Sequence, residues 1–385
     1  MPQRKVRAPA LLIAILGLAE FARGAVVVSL LAEFVTGPLG ASLTVVGLAI
    51  SGHYLFDTIF RGPAGWLVDR VGPPRVLSVG LLIEVFALVV VMKAGTSSQV
   101  IVGMALLGVG TSTHWPSVVT GMNRLSGTNR ASAMGLVFAA WLVGSGVGPV
   151  IVNFLMSGRD QGAFAVLAMA DVLALIIALA IKHPRLGRNT RAAHPRQRWP
   201  ALWKYRAVLP GMFVQNMTLG LMVPILQPYA FGVLSLSHWQ FAEMLLGSGA
   251  FAVMLLVPMG KLTDRFGVRF PLIGGFFVAS VALVALSVLR NFLGVVVSGG
   301  VLGLAYSMIL PSWNAFLAKM IPKHMEGWMW GVFMTVEGLG MATGPVVGAR
   351  LFGWGPGVPF LFSAVILAIM GTVYWKFPYA RYLDV

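Results

Sequence analysis

Two sets of charged side chains stand inside long apolar stretches of this sequence. Glu20 and Arg23 are three residues apart, so one face of a helix would carry both. His53, Asp57 and Arg61 follow one another at intervals of four and would share a second face. A carboxylate beside an arginine can load and release a proton, because burial favours its neutral form and the cation favours its charged form. We therefore predict proton carriers at Asp57 and Glu20, with Arg23 tuning them or holding an anionic group of a substrate.

The composition indicates that helices in a membrane position these groups. The 385 residues are 58% hydrophobic and 10% charged, whereas soluble domains carry about 25% charged residues. At roughly 20 residues per crossing, and with every backbone group bonded internally, the chain predicts an all-α integral membrane protein of twelve helices, six per half. The expected spans are 8–34, 44–68, 76–94, 99–122, 131–156, 164–182, 206–234, 240–262, 269–289, 292–318, 328–351 and 358–377.

An internal repeat divides the chain in two. The segment Gly65 to Arg75 returns as Gly260 to Arg269, an offset of 195 residues. A Gly-x-x-x-Gly-Pro sequence recurs at an offset of 196, first in span 5 and then in span 11. Two copies of one membrane half are typical of secondary transporters, whose halves rock about a site held between them. We expect an N-terminal half over 1–182, a basic linker over 183–205 and a C-terminal half over 206–385.

The charge distribution predicts the orientation of the chain. Of 28 Lys and Arg residues, 22 fall in the termini and even-numbered loops and four in the odd-numbered loops, and the net charge is +16. This asymmetry places both termini in the cytoplasm of a cell-membrane protein by the positive-inside rule. It favours anionic membrane lipid over nucleic acid as the partner of the basic loops. The chain contains no cysteine, which excludes disulfides and thiol chemistry.

The repeated sequences supply candidate residues for conformational gating. Glycines permit a tight turn and close helix approach, and a carboxylate at a helix end can pair with an arginine in one state and lose it in another. Gly-x-x-x-Gly allows close packing, and a following proline interrupts the helix ladder. The candidates are Gly65, Asp69, Arg70, Gly72, Gly148, Pro149, Gly260, Asp264, Arg265, Gly267, Gly344 and Pro345.

With these motifs the chain resembles the major facilitator superfamily over its whole length. The resemblance rests on the paired loop motif at Gly65 to Arg75 and Gly260 to Arg269 and on the two six-span halves. It implies a transporter that works by alternating access, driven by a gradient and without a cofactor. The segment Gly144 to Pro149 is similar to the antiporter motif of drug and proton exchangers, although Ile151 and Val152 depart from that pattern.

Aromatic and acidic residues extend the candidate site. Trp115 and Trp141 lie well inside spans 4 and 5, away from the interfacial belts. A tryptophan there can stack on a sugar, cover a lipid tail or simply fill the core. Glu337 aligns with Trp141 in the repeat and is expected at a similar depth. Intramembrane polar groups concentrate in the first half, which suits an amphiphile whose headgroup lies there and whose chains lie in the second half.

Glu20, Arg23, Asp57, Trp115 and Trp141 together resemble one branch of the superfamily, the proton-coupled flippases of the lipoteichoic-acid anchor glycolipid. The resemblance implies that these five residues line a headgroup pocket, to which we add His53 and Glu337 as substrate-binding candidates.

The first hypothesis is therefore a monomeric, proton-coupled glycolipid flippase. Three alternatives remain at this point. They are a lipophilic drug/proton antiporter, a symporter for a small polar nutrient, and a membrane enzyme. His53 and Asp57 form the only pair that resembles a catalytic one, and their depth argues against an enzyme; neither a metal site nor a cofactor is expected. The remaining intramembrane groups, Glu84, His114, Asp171 and Glu243, are interpreted as local helix contacts.

Overall fold

The computed structural model describes residues 3–125, 130–155, 160–181, 205–206, 208–321 and 326–378, and these residues are helical apart from short connections. We number the helices α1 to α15 in chain order. They are α1 Gln3–Ala25, α2 Leu31–Thr36, α3 Leu43–Val71, α4 Pro73–Met92, α5 Ser97–Thr111, α6 His114–Leu125, α7 Arg130–Leu155, α8 Asp160–Ala180, α9 Leu209–Met222, α10 Leu226–Val233, α11 His238–Phe266, α12 Arg269–Val288, α13 Phe292–Met320, α14 Glu326–Trp354 and α15 Val358–Trp375. The predicted linker 183–205 lies outside the described residues except for Tyr205.

Ten helical segments of the described chain are long and apolar enough to cross a membrane, and the bent pair α9–α10 makes up to eleven. The first of these segments, Pro9–Thr36, joins α1 to α2 through a π-helical turn over Val26–Leu30. Large apolar side chains point outward from the bundle, for example Met254 and Phe270, which are 74% and 76% exposed. Polar side chains such as His53 and Glu84 are buried inside it. This arrangement suits lipid as the solvent, and the chain is a multi-pass membrane protein.

The predicted span 99–122 is not one helix. It divides into α5 and α6 at Ser112 and Thr113, where Thr113 N donates to Gly110 O at 3.1 Å, three residues back instead of four. Pro116 weakens the helix at this point, because proline has no N–H to donate to the carbonyl of Ser112 and its ring crowds that carbonyl. The expectation of a single continuous helix was therefore wrong here. The predicted span 206–234 is similarly bent by 44° between α9 and α10, beside Pro224.

Helix packing repeats between the two parts of the chain. In the first part α1 packs on α7, α3 on α5, and α4 on both α5 and α8. In the second part the equivalent pairs are α9 with α14, α11 with α13, and α12 with α13 and α15. The buried apolar residues follow the same division: two clusters lie within residues 12–181 and one within 205–377. Helices α3 and α14, and helices α7 and α11, join the two parts.

Candidate functional site

The first charged pair of the site lies on α1. Arg23 donates to Glu20 Oε2 from Nη2 at 2.5 Å and from Nε at 2.8 Å. Both side chains are largely buried, 14% exposed for Arg23 and 7% for Glu20. The spacing of three residues brings them to one helix face, as the sequence predicts.

Close packing of α7 fixes the α1 face that carries this pair. A Cβ at Gly144 would lie 2.6 Å from the carbonyl oxygen of Gly17 and 3.0 Å from Glu20 Cβ, and a Cβ at Gly148 would overlap the Phe21 carbonyl. The second part repeats this contact, since Gly340 and Gly344 lie against Phe213 and Met217 of α9. Glycines at these positions therefore let two backbones touch, which is the Gly-x-x-x-Gly packing expected from sequence.

The second charged pair lies on α3. Arg61 Nη2 donates to Asp57 Oδ2 at 2.5 Å, and Arg61 keeps 29% of its side chain exposed. The charge of Arg23 acts on Asp57 across the gap between α1 and α3. Because their charges interact, we treat the two predicted pairs as one connected charged region. His53, on the same helix, is fully buried against α5, where a Cβ at Gly108 would overlap its carbonyl.

Helix α14 approaches this region from the second part of the chain. Glu337 accepts a hydrogen bond from Trp313 Nε1 at 3.2 Å, and the charge of Arg61 acts on its carboxylate. One residue further on, Gly338 lies against Thr58 of α3 with no room for a Cβ. Glu337 therefore stands opposite the Asp57–Arg61 pair, in a position that the repeat alone did not specify.

The two predicted tryptophans lie half-buried beside the first part's core. Both pack against the apolar cluster of Leu12, Ile15 and Leu16, and Trp115 meets Phe138 edge-on with ring centroids 5.1 Å apart. Partial exposure leaves ring surface accessible on each. The structure brings them to the same core as α1, which carries Glu20 and Arg23.

Three buried groups that the sequence interpretation treated as local contacts meet between helices instead. His114 Nε2 of α6 lies 3.0 Å from Glu84 Oε1 of α4, and His114 Nδ1 lies 3.9 Å from Glu20 Oε1. Asp171 of α8 interacts electrostatically with Glu84 and His114. The interpretation as local helix contacts was therefore wrong for these three. It was right for Glu243, which accepts from Trp239 Nε1 of its own helix at 2.6 Å.

The repeated loop motifs form two equivalent corners. Gly72 joins α3 to α4 with φ of +92°, and Gly267 joins α11 to α12 with φ of +79°, conformations that favour glycine. A Cβ added at Gly65 would lie 3.7 Å from the Pro116 side chain, and one added at Gly260 would lie 4.0 Å from the Pro311 side chain. The predicted gating arginines rest on aromatic rings of their own helices: Arg70 lies over Trp66 at 3.9 Å and Arg265 over Phe266 at 5.2 Å.

Four polar residues from α2, α7, α10 and α11 join the two parts of the chain. Gln227 Nε2 donates to Glu33 Oε2 at 2.8 Å, and His238 Nε2 lies 3.5 Å from Glu33 Oε1. His238 Nδ1 also lies 3.3 Å from Asn153 Oδ1. We call Glu33, Asn153, Gln227 and His238 the latch. The latch could not be predicted from the sequence, because its members lie on different helices.

An all-helical bundle with two similarly packed parts and charged pairs where they meet defines a secondary transporter. The model of the Major Facilitator Superfamily matches residues 12–242 and 208–382, and the chain belongs to this superfamily.

Curated relatives include the proton-coupled antiporter flippase LtaA of Staphylococcus saprophyticus, 29% identical over 372 residues, which cover 94% of this chain and 92% of the relative. The protein of the same name from Staphylococcus aureus is 27% identical over 375 residues, covering 95% and 94%.

Solved structures share the fold at low identity. A variant of the nucleoside transporter NupG superposes with a TM-score of 0.81 at 13% identity, covering 96% of this chain and 100% of that one. A POT family transporter in complex with a thioalcohol-conjugated peptide also gives 0.81, at 12% identity, covering 97% and 96%.

Proposed function

We propose that this protein is a proton-coupled transporter that moves a glycolipid between the leaflets of a bacterial cell membrane by alternating access. The observation that carries the proposal is the connected region of Glu20–Arg23 and Asp57–Arg61, which faces the second half through Glu337. Ionisable groups at membrane depth are costly and mark ion or substrate pathways. The names of the staphylococcal relatives, proton-coupled antiporter flippases, support the same assignment.

The proposed architecture has twelve spans in two halves. Helices α5 and α6 together would form the fourth span, and α9 with α10 the seventh, which raises the ten long segments to twelve. The halves would be residues 1–182 and 206–385, joined by the basic linker 183–205. The excess of basic residues in the even-numbered loops supports cytoplasmic termini. The working unit is a monomer, and it needs neither metal nor organic cofactor.

Competition for the same side chains would couple protons to the lipid. Headgroup hydroxyls can donate hydrogen bonds to the carboxylates of Glu20 and Asp57, while Arg23 would hold an anionic or hydroxyl oxygen. A proton on Asp57 removes an acceptor and weakens its bond to Arg61, so the protonated site holds the headgroup less tightly. Mutual weakening of proton and substrate binding is the thermodynamic basis of exchange.

The remaining candidates would shape and close the pocket. Trp115 and Trp141 offer ring faces to a sugar, and Glu337 meets the headgroup from the second half. His53, one turn before Asp57 on α3, is fully buried against α5 and would reach the substrate only after a conformational change. The latch is formed in this structure, so we infer a state closed at the latch end. Transport requires those contacts to separate while the corner motifs at Gly72 and Gly267 come together.

A reconstitution experiment tests the proposal. Purified protein in liposomes receives a fluorescent diglucosyl lipid and a pH gradient, and an external quencher reports the fraction of lipid in the outer leaflet. The wild type should translocate lipid in a gradient-dependent manner, and the free disaccharide should inhibit it. Asp57→Asn should abolish the gradient dependence. The control variant Glu243→Gln should transport normally, because Glu243 lies outside the site and glutamine keeps an oxygen that can accept from Trp239.

Three results would contradict the proposal. Wild-type liposomes that move no lipid but conduct protons when lipophilic cations are added would identify a drug/proton antiporter. Saturable uptake of a sugar without any lipid substrate would identify a nutrient symporter. Unchanged gradient dependence in Asp57→Asn would remove Asp57 from proton coupling.

A further inference from the structure

A buried group of titratable side chains lies next to the transport site, and the proposed function does not use its members. Glu84, His114 and Asp171 come from α4, α6 and α8 and are 1%, 2% and 1% exposed. His114 lies 3.0 Å from Glu84 through Nε2 and 3.9 Å from Glu20 through Nδ1. We call Glu84, His114 and Asp171 the inner cluster. Its three members come from three different helices, so the fold brings them together.

Local features of the chain make room for this cluster. A Cβ at Gly110 would overlap Glu84 Cγ, and one at Gly80 would lie 2.8 Å from the carbonyl oxygen of Gly110. Glycine at both positions lets α4 and α5 approach closely around the Glu84 carboxylate. The break before α6 starts a new helix at His114, because Pro116 interrupts the span.

Asp171 supplies an observation independent of the ion pairs. Its Oδ1 atom is buried and makes no hydrogen bond within the described part of the chain, although the charges of Glu84, His114 and Glu20 act on this carboxyl. A buried carboxylate oxygen without a partner carries the full cost of its desolvation, whereas a carboxylic acid carries much less. In the described residues no group of His, Asp or Glu is arranged to hold a metal ion. A proton is therefore the ligand that the geometry calls for.

The charges of the inner cluster and of the groups around it indicate how many protons the cluster holds when it is neutral. The groups that face the cluster are Glu20 and Arg23 of α1 and the buried His53 of α3. Arg23 neutralises Glu20 through two hydrogen bonds. His53 is fully buried and neither of its ring nitrogens meets a hydrogen-bond partner in the described part of the chain, so we count it as neutral. Two carboxyls, Glu84 and Asp171, then share one histidine, and an uncompensated charge at this depth is strongly unfavourable.

We propose that the inner cluster is a second proton-binding site that holds two protons in its neutral form, one on the Glu84–His114 ion pair and one on Asp171. The inference rests on the proposed proton coupling and adds residues to it. Loss of the Asp171 proton leaves a negative charge beside the Glu84–His114 pair. Because His114 also lies near Glu20, this charge alters the electrostatic environment of the carboxylate that binds the headgroup.

Infrared difference spectroscopy of the purified protein at stepped pH tests the site without any substrate. A protonated carboxyl gives a C=O stretching band separate from amide and carboxylate bands. We expect the wild type to show a buried component of this band that is lost in Asp171→Asn and shifted in Asp171→Glu. Glu243→Gln should leave the component unchanged. A component of equal size and position in Asp171→Asn overturns the proposal.

Lipid translocation in liposomes separates this inference from the proposed function. We expect Asp171→Asn and Glu84→Gln to displace the pH profile of gradient-driven transport, with the wild-type position restored by Asp171→Glu. If the wild type moves no lipid, the proposed function fails while the infrared result still decides the proton site. If the wild type moves lipid and Asp171→Asn leaves both the band and the pH profile unchanged, the proton site fails alone. Size-exclusion profiles and melting temperatures establish that the variants are folded.

Discussion

An intact ion pair inside the membrane stabilises the fold, whereas a proton carrier has to break its ion pair during transport. The Glu20–Arg23 pair makes two hydrogen bonds through one carboxylate oxygen and is almost fully buried. Removing one partner of a buried pair leaves a charge without compensation, which costs about 3–5 kcal/mol. The more exposed Asp57–Arg61 pair should be cheaper to break, as a proton carrier requires.

Glu20→Gln is therefore expected to lower the melting temperature of the detergent-solubilised protein more than Asp57→Asn does. The double variant Glu20→Gln with Arg23→Met should recover a large part of the loss, because it removes both charges. Thermal unfolding of the four proteins gives the comparison. Equal melting temperatures for wild type and Glu20→Gln would show that Arg23 finds another partner.

The tryptophan rings give a prediction about the headgroup. If a sugar stacks on Trp115, the change Trp115→Phe should reduce apparent affinity for the diglucosyl lipid about fivefold, since ring contacts of this kind contribute about 1 kcal/mol. The maximal rate should change little. Trp354→Phe serves as the control, because Trp354 is 79% exposed at the end of α14. Equal affinities for wild type and Trp115→Phe would assign Trp115 to core packing.

At the scale of helices, backbone contact between neighbours sets the register of the site. Gly148 lies against the Phe21 carbonyl of α1, and Gly344 against Met217 of α9. These contacts leave no space for a methyl group. Helix α7 also carries Gly146, where an added Cβ would have nothing within 4 Å. Gly148 and Gly146 therefore form a matched pair of test and control positions on one helix.

Gly148→Ala should separate α7 from α1, lower the melting temperature and reduce transport, because the added carbon meets rigid backbone. Gly146→Ala should be neutral or slightly stabilising, since alanine is favoured over glycine in helices by up to about 1 kcal/mol. Melting curves and initial transport rates measure both effects. A Gly148→Ala protein that matched the Gly146→Ala protein would mean that α1 and α7 can slide apart without consequence.

At the scale of the whole molecule, the proposed alternating access requires the first and second parts of the chain to separate at the latch. Glu33 of the first part and Gln227 of the second part are hydrogen-bonded at 2.8 Å. Helix α11 runs without a break from His238 at the latch to Phe266 beside the Gly267 corner, so we expect movement at one end to be transmitted to the other. The absence of cysteine from the sequence makes this motion simple to test.

We expect a short thiol cross-linker between Glu33→Cys and Gln227→Cys to stop transport, and a reducing agent to restore it. The control pair, Val284→Cys with Val288→Cys, lies one turn apart on α12, and both side chains are exposed on the outside of the second part of the chain. Cross-linking that pair should leave the rate unchanged. Transport that continued in the cross-linked latch variant would show that the latch end does not open during the cycle.

The features that depend on local geometry could be predicted from the sequence. Lipid forces apolar segments into helices, and helical periodicity then places Glu20 beside Arg23 and Asp57 beside Arg61. The repeat predicted the two glycine corners and the close packing of Gly144 and Gly148. It did not predict the break at Ser112–Thr113, although Pro116 was visible, because the equivalent Pro311 lies inside the continuous helix α13.

The tertiary structure alone decided which distant residues meet. His114 joins Glu84 and Glu20, Glu337 faces Arg61, and His238 reaches Glu33. Each of these contacts depends on the rotation of one helix against another, which is set by backbone approaches spread over the bundle. Residue spacing within a helix carries no information about that rotation. The charged pairs could therefore be predicted from sequence, whereas the inner cluster and the latch could not.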